Sequence, residues 1–225
     1  MAKIFNILII DDHPLITEAY KAALLQVASK NSNIEFNINT ANNCDSAYIK
    51  IKEAVKGIPI DIVFLDIKIP PSKDGLIISG EDLGIKVIEL LPDTKIMVST
   101  TFNDNYRINS IFKSLNPDAF LVKNDLDPKA LLQAIENVIN NLPYYSKSVI
   151  ELMRKQTSNN IFIDDVDRKL LYELSKGTKM SELPNVIPLS VSALEKRKRV
   201  LKELFNLDKK DDRYLLKAAE EKGFI

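Results

Sequence analysis

The sequence predicts an α/β protein: a doubly wound, five-stranded parallel sheet followed by a small all-α unit. Three observations predict it. Five short β-rich apolar runs alternate with segments of helical period over the first 140 residues. Those runs are nearly continuous in aliphatic residues, as strands covered by helices on both faces must be. From 164 to 225 the strand pattern is absent and only helical spacing remains. In a sheet of this kind crossovers are right-handed, and ligands sit at the carboxyl ends of the strands.

The first strand is expected at 4–10 (IFNILII), running straight into Asp11 and Asp12. A helix follows at 14–29, with Pro14 in the first turn, where a missing N–H costs nothing. Further strands are expected at 34–40 (IEFNINT), 60–65 (IDIVFL), 95–100 (KIMVST) and 118–122 (DAFLV). The helices between and after them are expected near 45–56, 82–91, 104–115 and 127–141, the last two opened by Asp104 and Asp127. Residues 144–162 read as a short helix and a polar break, QTSNN. Four helical segments then fit, at about 164–175, 178–184, 190–206 and 210–222. They are cut at Gly177, at Pro184 to Pro188, and at Leu207 to Asp208. The expected units are thus 1–142, a linker over 143–162, and 163–225.

Charged residues make up 28% of the 225 residues and hydrophobic ones 45%, a globular composition. The formal charge is zero but unevenly spread. Residues 1–150 carry 15 Lys+Arg against 18 Asp+Glu, and 151–225 carry 16 against 13. The two parts differ in sign, which points to different partners. The single cysteine, Cys44, excludes an internal disulfide and a thiolate metal cluster. No apolar run reaches the roughly 18 residues of a membrane span, and the start lacks a signal-peptide layout, so the expected location is the cytoplasm.

Adjacent carboxylates at the end of a buried strand raise each other's pKa unless a cation or solvent relieves them. The third strand also ends in one: DIVFLDIKIPP puts Asp66 just after Leu65. In a parallel sheet the two strand ends are neighbours, so Asp11, Asp12 and Asp66 converge. Three carboxylates at one point suit a hard divalent cation, Mg²⁺, which takes oxygen ligands and keeps waters for a substrate phosphate. The fourth strand ends with the Thr100 hydroxyl and the fifth with the Lys123 ammonium. Together they suit a carboxylate nucleophile accepting a phosphoryl group, with cations neutralising its oxygens.

Asp11/Asp12, Asp66, Thr100 and Lys123, in that order and at strand ends, resemble the receiver domain of two-component response regulators, whose sheet is flavodoxin-like. The stretches DDHPL, DIKIP, STTFND and FLVKN resemble the subgroup with a LuxR-type (NarL-like) helix-turn-helix tail. The resemblance implies that Asp66 is the phosphoacceptor and Asp12 a direct Mg²⁺ ligand. It implies that Asp11 acts through water, with the backbone carbonyl of Lys68 completing the set. Thr100 then bonds the phosphoryl group, Lys123 pairs with it, and Phe120 changes rotamer with it. Between Asp66 and the next helix this chain departs from the family, with a longer loop (IKIPPSKDGLIISGEDLG) and candidate glycines at 75, 80 and 84. His13 reads as a helix-start residue near the site, and Cys44 as half-buried at another helix start.

In the tail, Ser190 is a plausible N-cap of a helix with Leu194, Leu201, Leu204 and Phe205 on one side. Lys196, Arg197, Lys198, Arg199 and Lys202 crowd the rest, and with Ser192 they are the candidate DNA contacts. The stretch from Asp164 to Ile225 resembles the four-helix LuxR-type domain down to its closing AAEEKGFI. It departs from it at SELP and in the register of EKRKRVLKELF.

The resemblance implies a DNA-binding regulator phosphorylated by a sensor histidine kinase, with a homodimer on activation suited to a palindromic promoter site. Two rivals differ in class. An aspartyl phosphatase needs a second acid two residues after its nucleophile, and Lys68 stands there, so no enzyme turning over external substrates is expected. An adaptor would keep the receiver but bind protein through its tail, a reading the irregular SELPNVIP turn allows.

Overall fold

The computed structural model describes residues 2–101, 105–155, 163–207 and 210–225. Asp104 as a helix opener, the QTSNN break and the cut at Asp208 lie outside the described residues. The sheet is parallel throughout, in the order β2-β1-β3-β4-β5-β6. Its strands are β1 (Lys3–Ile10), β2 (Ile34–Ala41), β3 (Ile62–Asp66), β4 (Lys95–Thr100), β5 (Ala119–Val122) and β6 (Tyr144–Tyr145). Helices α1 (Pro14–Lys30), α2 (Cys44–Lys56), α3 (Gly80–Leu90), α4 (Asn105–Leu115) and α5 (Pro128–Ile139) connect them. The chain reverses its direction of travel across the sheet between β1 and β3, and the carboxyl ends of these strands form the crevice.

Strand period assigns the two cores. Phe5, Ile7 and Ile9 of β1 join Phe64, Met97 and Leu121 in one buried cluster, against α1 and α5. Leu8 and Ile10 join Val63, Leu65, Val98 and Phe120 in the other, against α2, α3 and α4. Successive residues of each strand thus serve opposite faces, which explains the unbroken aliphatic runs. Caps set two of the helix starts: the Asn43 side chain accepts from Ser46 N, and that of Asp127 from Ala130 N.

Cys44 is fully buried at the start of α2, not half-buried. Burial first, then the charges of Asp82 and Asp45, push its thiol up to about 12. The native protein is therefore expected to be inert to an aromatic disulfide reagent at neutral pH. One equivalent should react once denaturant unfolds the sheet. Rapid labelling of the folded chain would contradict this packing.

The segment expected as linker is partly built into the sheet edge. Tyr144 and Tyr145 pair with Ala119 and Phe120 as a sixth strand. Helix α6 (Lys147–Lys155) follows, with Val149 fully buried in the α2–α4 side core. A two-residue strand has no period to read, which is why the sequence predicts five strands and the sheet has six.

Residues 163–225 bury a third cluster of their own, around Leu170, Leu183, Leu194, Leu201, Leu215 and Phe224. Its helices are α7 (Asp165–Ser175), α8 (Val191–Leu204) and α9 (Asp212–Glu221). The helix expected at 178–184 is instead a pair of tight turns ending in a single 3-10 turn, Leu183–Asn185. Pro184 has no N–H to continue a helical ladder, and Pro188 closes the segment.

Candidate functional site

The ends of β1, β3 and β5 deliver Asp11, Asp12, Asp66 and Lys123 to one place, and β4, between β3 and β5, ends in Thr100. Ile10 lies beside Leu65 across the β1–β3 pair, so Asp11 and Asp66 come next to each other. Both are buried, at 3% exposure. Lys123, immediately after β5, bridges them: its Nζ donates to Asp11 Oδ2 at 2.8 Å and to Asp66 Oδ2 at 2.6 Å. Asp66 Oδ1 accepts from Lys68 N at 3.0 Å, and Asp11 Oδ1 from His13 N at 2.9 Å. Ligand atoms of Asp11, Asp12, His13 and Asp66 all lie within 4.8 Å of one another. His13 Nδ1 stands 2.8 Å from Asp12 Oδ1 without the alignment of a hydrogen bond, and that buried oxygen accepts none.

The electrostatics follow from burial and charge. Burial, with Asp11 adding, holds the Asp66 carboxyl above the usual range against the opposing pull of Lys123 and the Lys68 N–H. Burial works against the Lys123 ammonium, but the two carboxylates outweigh it and raise its pKa. Beneath the site Tyr20 donates to Ser99 Oγ at 2.7 Å, and Ser99 is the residue paired with Asp66 across β3–β4. Burial, with the Asp11 and Asp66 charges, pushes the Tyr20 phenol above its ordinary range despite that bond. Tyr20 looks like one more apolar-face residue of α1 in sequence. Only the strand register reveals it as the floor of the site.

Thr100 is the buried last residue of β4, beside Val122, which precedes Lys123. Phe120 is already turned inward and fully buried. Its ring centroid lies 5.1 Å from that of Phe112, which meets Tyr145 edge-on at the same distance. Of the three loop glycines, Gly80 approaches the site: its N–H donates to Ile67 O at 3.0 Å and α3 begins there.

The structure divides the six candidate contacts of the tail. Ser192, Lys196 and Arg199 are exposed on one face of α8, at helical spacing. Arg197 is turned instead to the start of α7, where it donates to Asp164 at 2.8 Å and to Asp167 at 2.8 Å. Those two aspartates are the reciprocal N-terminal cap of α7. Lys198 and Lys202 hold Asp212 of α9, at 2.8 and 2.7 Å.

No protein-family model matches the chain. It is 25% identical over 220 residues to the oxygen regulatory protein NreC of Staphylococcus epidermidis, covering 92% of this chain and 94% of that protein. Identity to NreC of Staphylococcus carnosus is 23%, with the same coverage. RcsB of Salmonella enterica serovar Typhimurium, bound to the rprA promoter with the phosphomimetic BeF3−, superposes with a TM-score of 0.64 at 16% identity. That match covers 97% of this chain and 99% of that one. The isolated REC domain of RcsB matches 67% of this chain with a TM-score of 0.52 at 18% identity. The chain is thus similar to NreC through nearly the whole of both sequences, and its fold is similar to that of RcsB, a parallel sheet with its helices followed by a small helical unit.

Proposed function

We propose that the chain is a DNA-binding response regulator in which Asp66 accepts a phosphoryl group from a sensor histidine kinase. The observation that carries this reading is the buried Asp11–Lys123–Asp66 bridge at the strand ends. Hard carboxylate oxygens and an Asp12 oxygen that is buried without a hydrogen bond fit a Mg²⁺ ion. Asp11, Asp12, Asp66 and the Lys68 carbonyl would hold it. Bound there, it supplies positive charge to the phosphoryl oxygens and an anchor for their orientation.

The chain's own groups do the rest. Asp66 Oδ forms the new bond to phosphorus as the donor's bond breaks. Lys123 opposes the burial that raises the Asp66 carboxyl before transfer and pairs with the phosphoryl oxygens after it. Thr100 donates its hydroxyl to the same group, and Tyr20 with Ser99 fixes the floor. Because Phe120 is already buried, the response on the β5 side is a repacking of the Phe112–Phe120–Tyr145 stack. The site is built for its own phosphorylation and hydrolysis of that group, not for turnover of an external substrate.

The receiver unit includes β6 and α6, and residues 163–225 form the DNA-binding unit. Lys196, Arg199 and Ser192 face phosphates and base edges, while Arg197, Lys198 and Lys202 hold the unit together. A homodimer on a two-fold-symmetric promoter site matches one exposed reading face per chain. Among the described residues no helix is long and apolar enough to cross a membrane, and we place the protein in the cytoplasm with its kinase partner.

The test is intact mass after incubation with Mg²⁺ and acetyl phosphate. Wild type should gain one phosphoryl group; Asp66→Asn and an EDTA-treated sample should gain none. A gain that survives in Asp66→Asn would remove Asp66 from its role.

A further inference from the structure

Helix α8 carries an acid among the cations of its exposed face. Ser190 caps the helix, its Oγ accepting from Ala193 N at 3.3 Å, and this start fixes which side chains share a face. Ser192, Glu195, Lys196 and Arg199 then stand at i, i+3, i+4 and i+7, and all four are exposed. In a recognition helix the residues that reach base edges come from the N-terminal part, so Glu195 enters the groove with its neighbours.

The tail itself gives this carboxylate no partner. Among the described residues no ion pair or hydrogen bond engages Glu195. Arg199, one turn on, pairs with Glu203 instead, Nε to Oε1 at 3.8 Å. Arg197 is held by Asp164 and Asp167, and Lys198 and Lys202 by Asp212. Glu195 also lies beyond the first turn of α8, where an acid gains from the helix dipole.

On a face that meets DNA such a carboxylate is costly, because the duplex carries one negative charge per roughly 1.7 Å of its axis. The cost is offset where the acid accepts a hydrogen bond. The major groove offers two kinds of donor on its bases, the N4 amino group of cytosine and the N6 amino group of adenine. Adenine presents its N7 acceptor beside N6, which repels a carboxylate and suits an amide. Cytosine presents its amino group alone, and a carboxylate is its complement.

We infer that Glu195 is a specificity-determining residue: it selects a cytosine at one position of the site read by each chain, accepting from its N4 amino group, while Lys196 and Arg199 hold the flanking phosphates. It rests on the reading of α8 as the helix that contacts DNA. On a duplex lacking that cytosine, the acid stands unpaired among phosphates, so the same side chain that favours one sequence rejects the others.

The experiment is selection of duplexes from a randomised pool by the full chain with Mg²⁺ and acetyl phosphate. Fluorescence anisotropy on the recovered sequence and its single-base changes follows. Wild type should recover a site with a fixed C·G pair, and changing that pair should weaken binding about tenfold. Glu195→Ala should lose the preference at that position alone and bind unrelated duplexes more tightly than wild type does. Glu195→Gln should move the preference to A·T, since an amide pairs with adenine N6 and N7. Variants that recover the wild-type site unchanged would overturn the inference. So would a Glu195→Ala variant that tightens equally on all sequences, since the acid would then only repel phosphate. Salt-dependent binding without sequence preference in wild type would overturn it and leave α8 as a DNA contact. No binding even at low salt would overturn the DNA-binding reading, and the inference with it.

Discussion

Replacing Gly80 with alanine is expected to cost about 3 kcal/mol of stability, the upper part of the usual range for overpacking a close contact. A Cβ at Gly80 would stand 1.9 Å from the carbonyl oxygen of Asp66, 2.9 Å from its carbonyl carbon and 3.0 Å from Ile67 Cα. All three obstacles are backbone, and all belong to the strand end that carries Asp66, so relief requires moving β3 or α3 bodily. For a chain of this size the loss corresponds to a melting-temperature drop of roughly 6–12 °C. Gly84→Ala is the internal comparison. Its Cβ would meet Leu115 Cδ1 and Cδ2 at 2.8 Å, the ends of a flexible side chain, so its cost should be clearly smaller. Thermal melts followed by circular dichroism read both. A Gly80→Ala variant melting within a degree or two of wild type would mean that α3 does not start on the Asp66 carbonyl as described.

Gly80 also marks how far the sequence can be read. As one of three glycines in an unusually long loop it carries no sign of which is crowded, because crowding depends on where α3 lands against β3. The strands themselves are legible to within about two residues, since each is an aliphatic run covered on both faces, and a strand-end carboxylate is conspicuous after such a run. Those runs put Asp11, Asp66, Thr100 and Lys123 at strand ends from residue order alone. The two-residue β6 has no period, and Pro184 turns an apolar, helix-length stretch into turns. Arg107 and Arg168 are inconspicuous in sequence for a physical reason as well. Arginine is almost never fully buried unless paired, and their common partner, Glu81, is distant from both along the chain. The run EKRKR poses the same problem on a smaller scale. It offers four cations in five residues, and only the cap of α7 and Asp212 of α9 reveal that Arg197 and Lys198 are held in while Lys196 and Arg199 face solvent.

That division of the basic run predicts two separable phenotypes. The double variant Lys196→Ala/Arg199→Ala removes two exposed cations from the α8 face and should leave the melting temperature of the tail unchanged. Its DNA binding should weaken, and the slope of log K against log salt should fall by about 2, since each phosphate contact contributes roughly 0.9. Arg197→Ala should do the reverse. Asp164 and Asp167 lose the guanidinium between them. Burial first, then the neighbouring Asp164 charge, already raises the Asp167 carboxyl, with Arg197 opposing. Since Arg197 is partly solvated, the expected cost is about 1 kcal/mol, with the salt slope of DNA binding preserved. Fluorescence anisotropy with a labelled duplex across a salt series, beside thermal melts, separates the two. An unchanged slope in the double variant would move the reading face off α8. A lowered slope with unchanged stability in Arg197→Ala would make the α7 cap incidental and return Arg197 to the DNA.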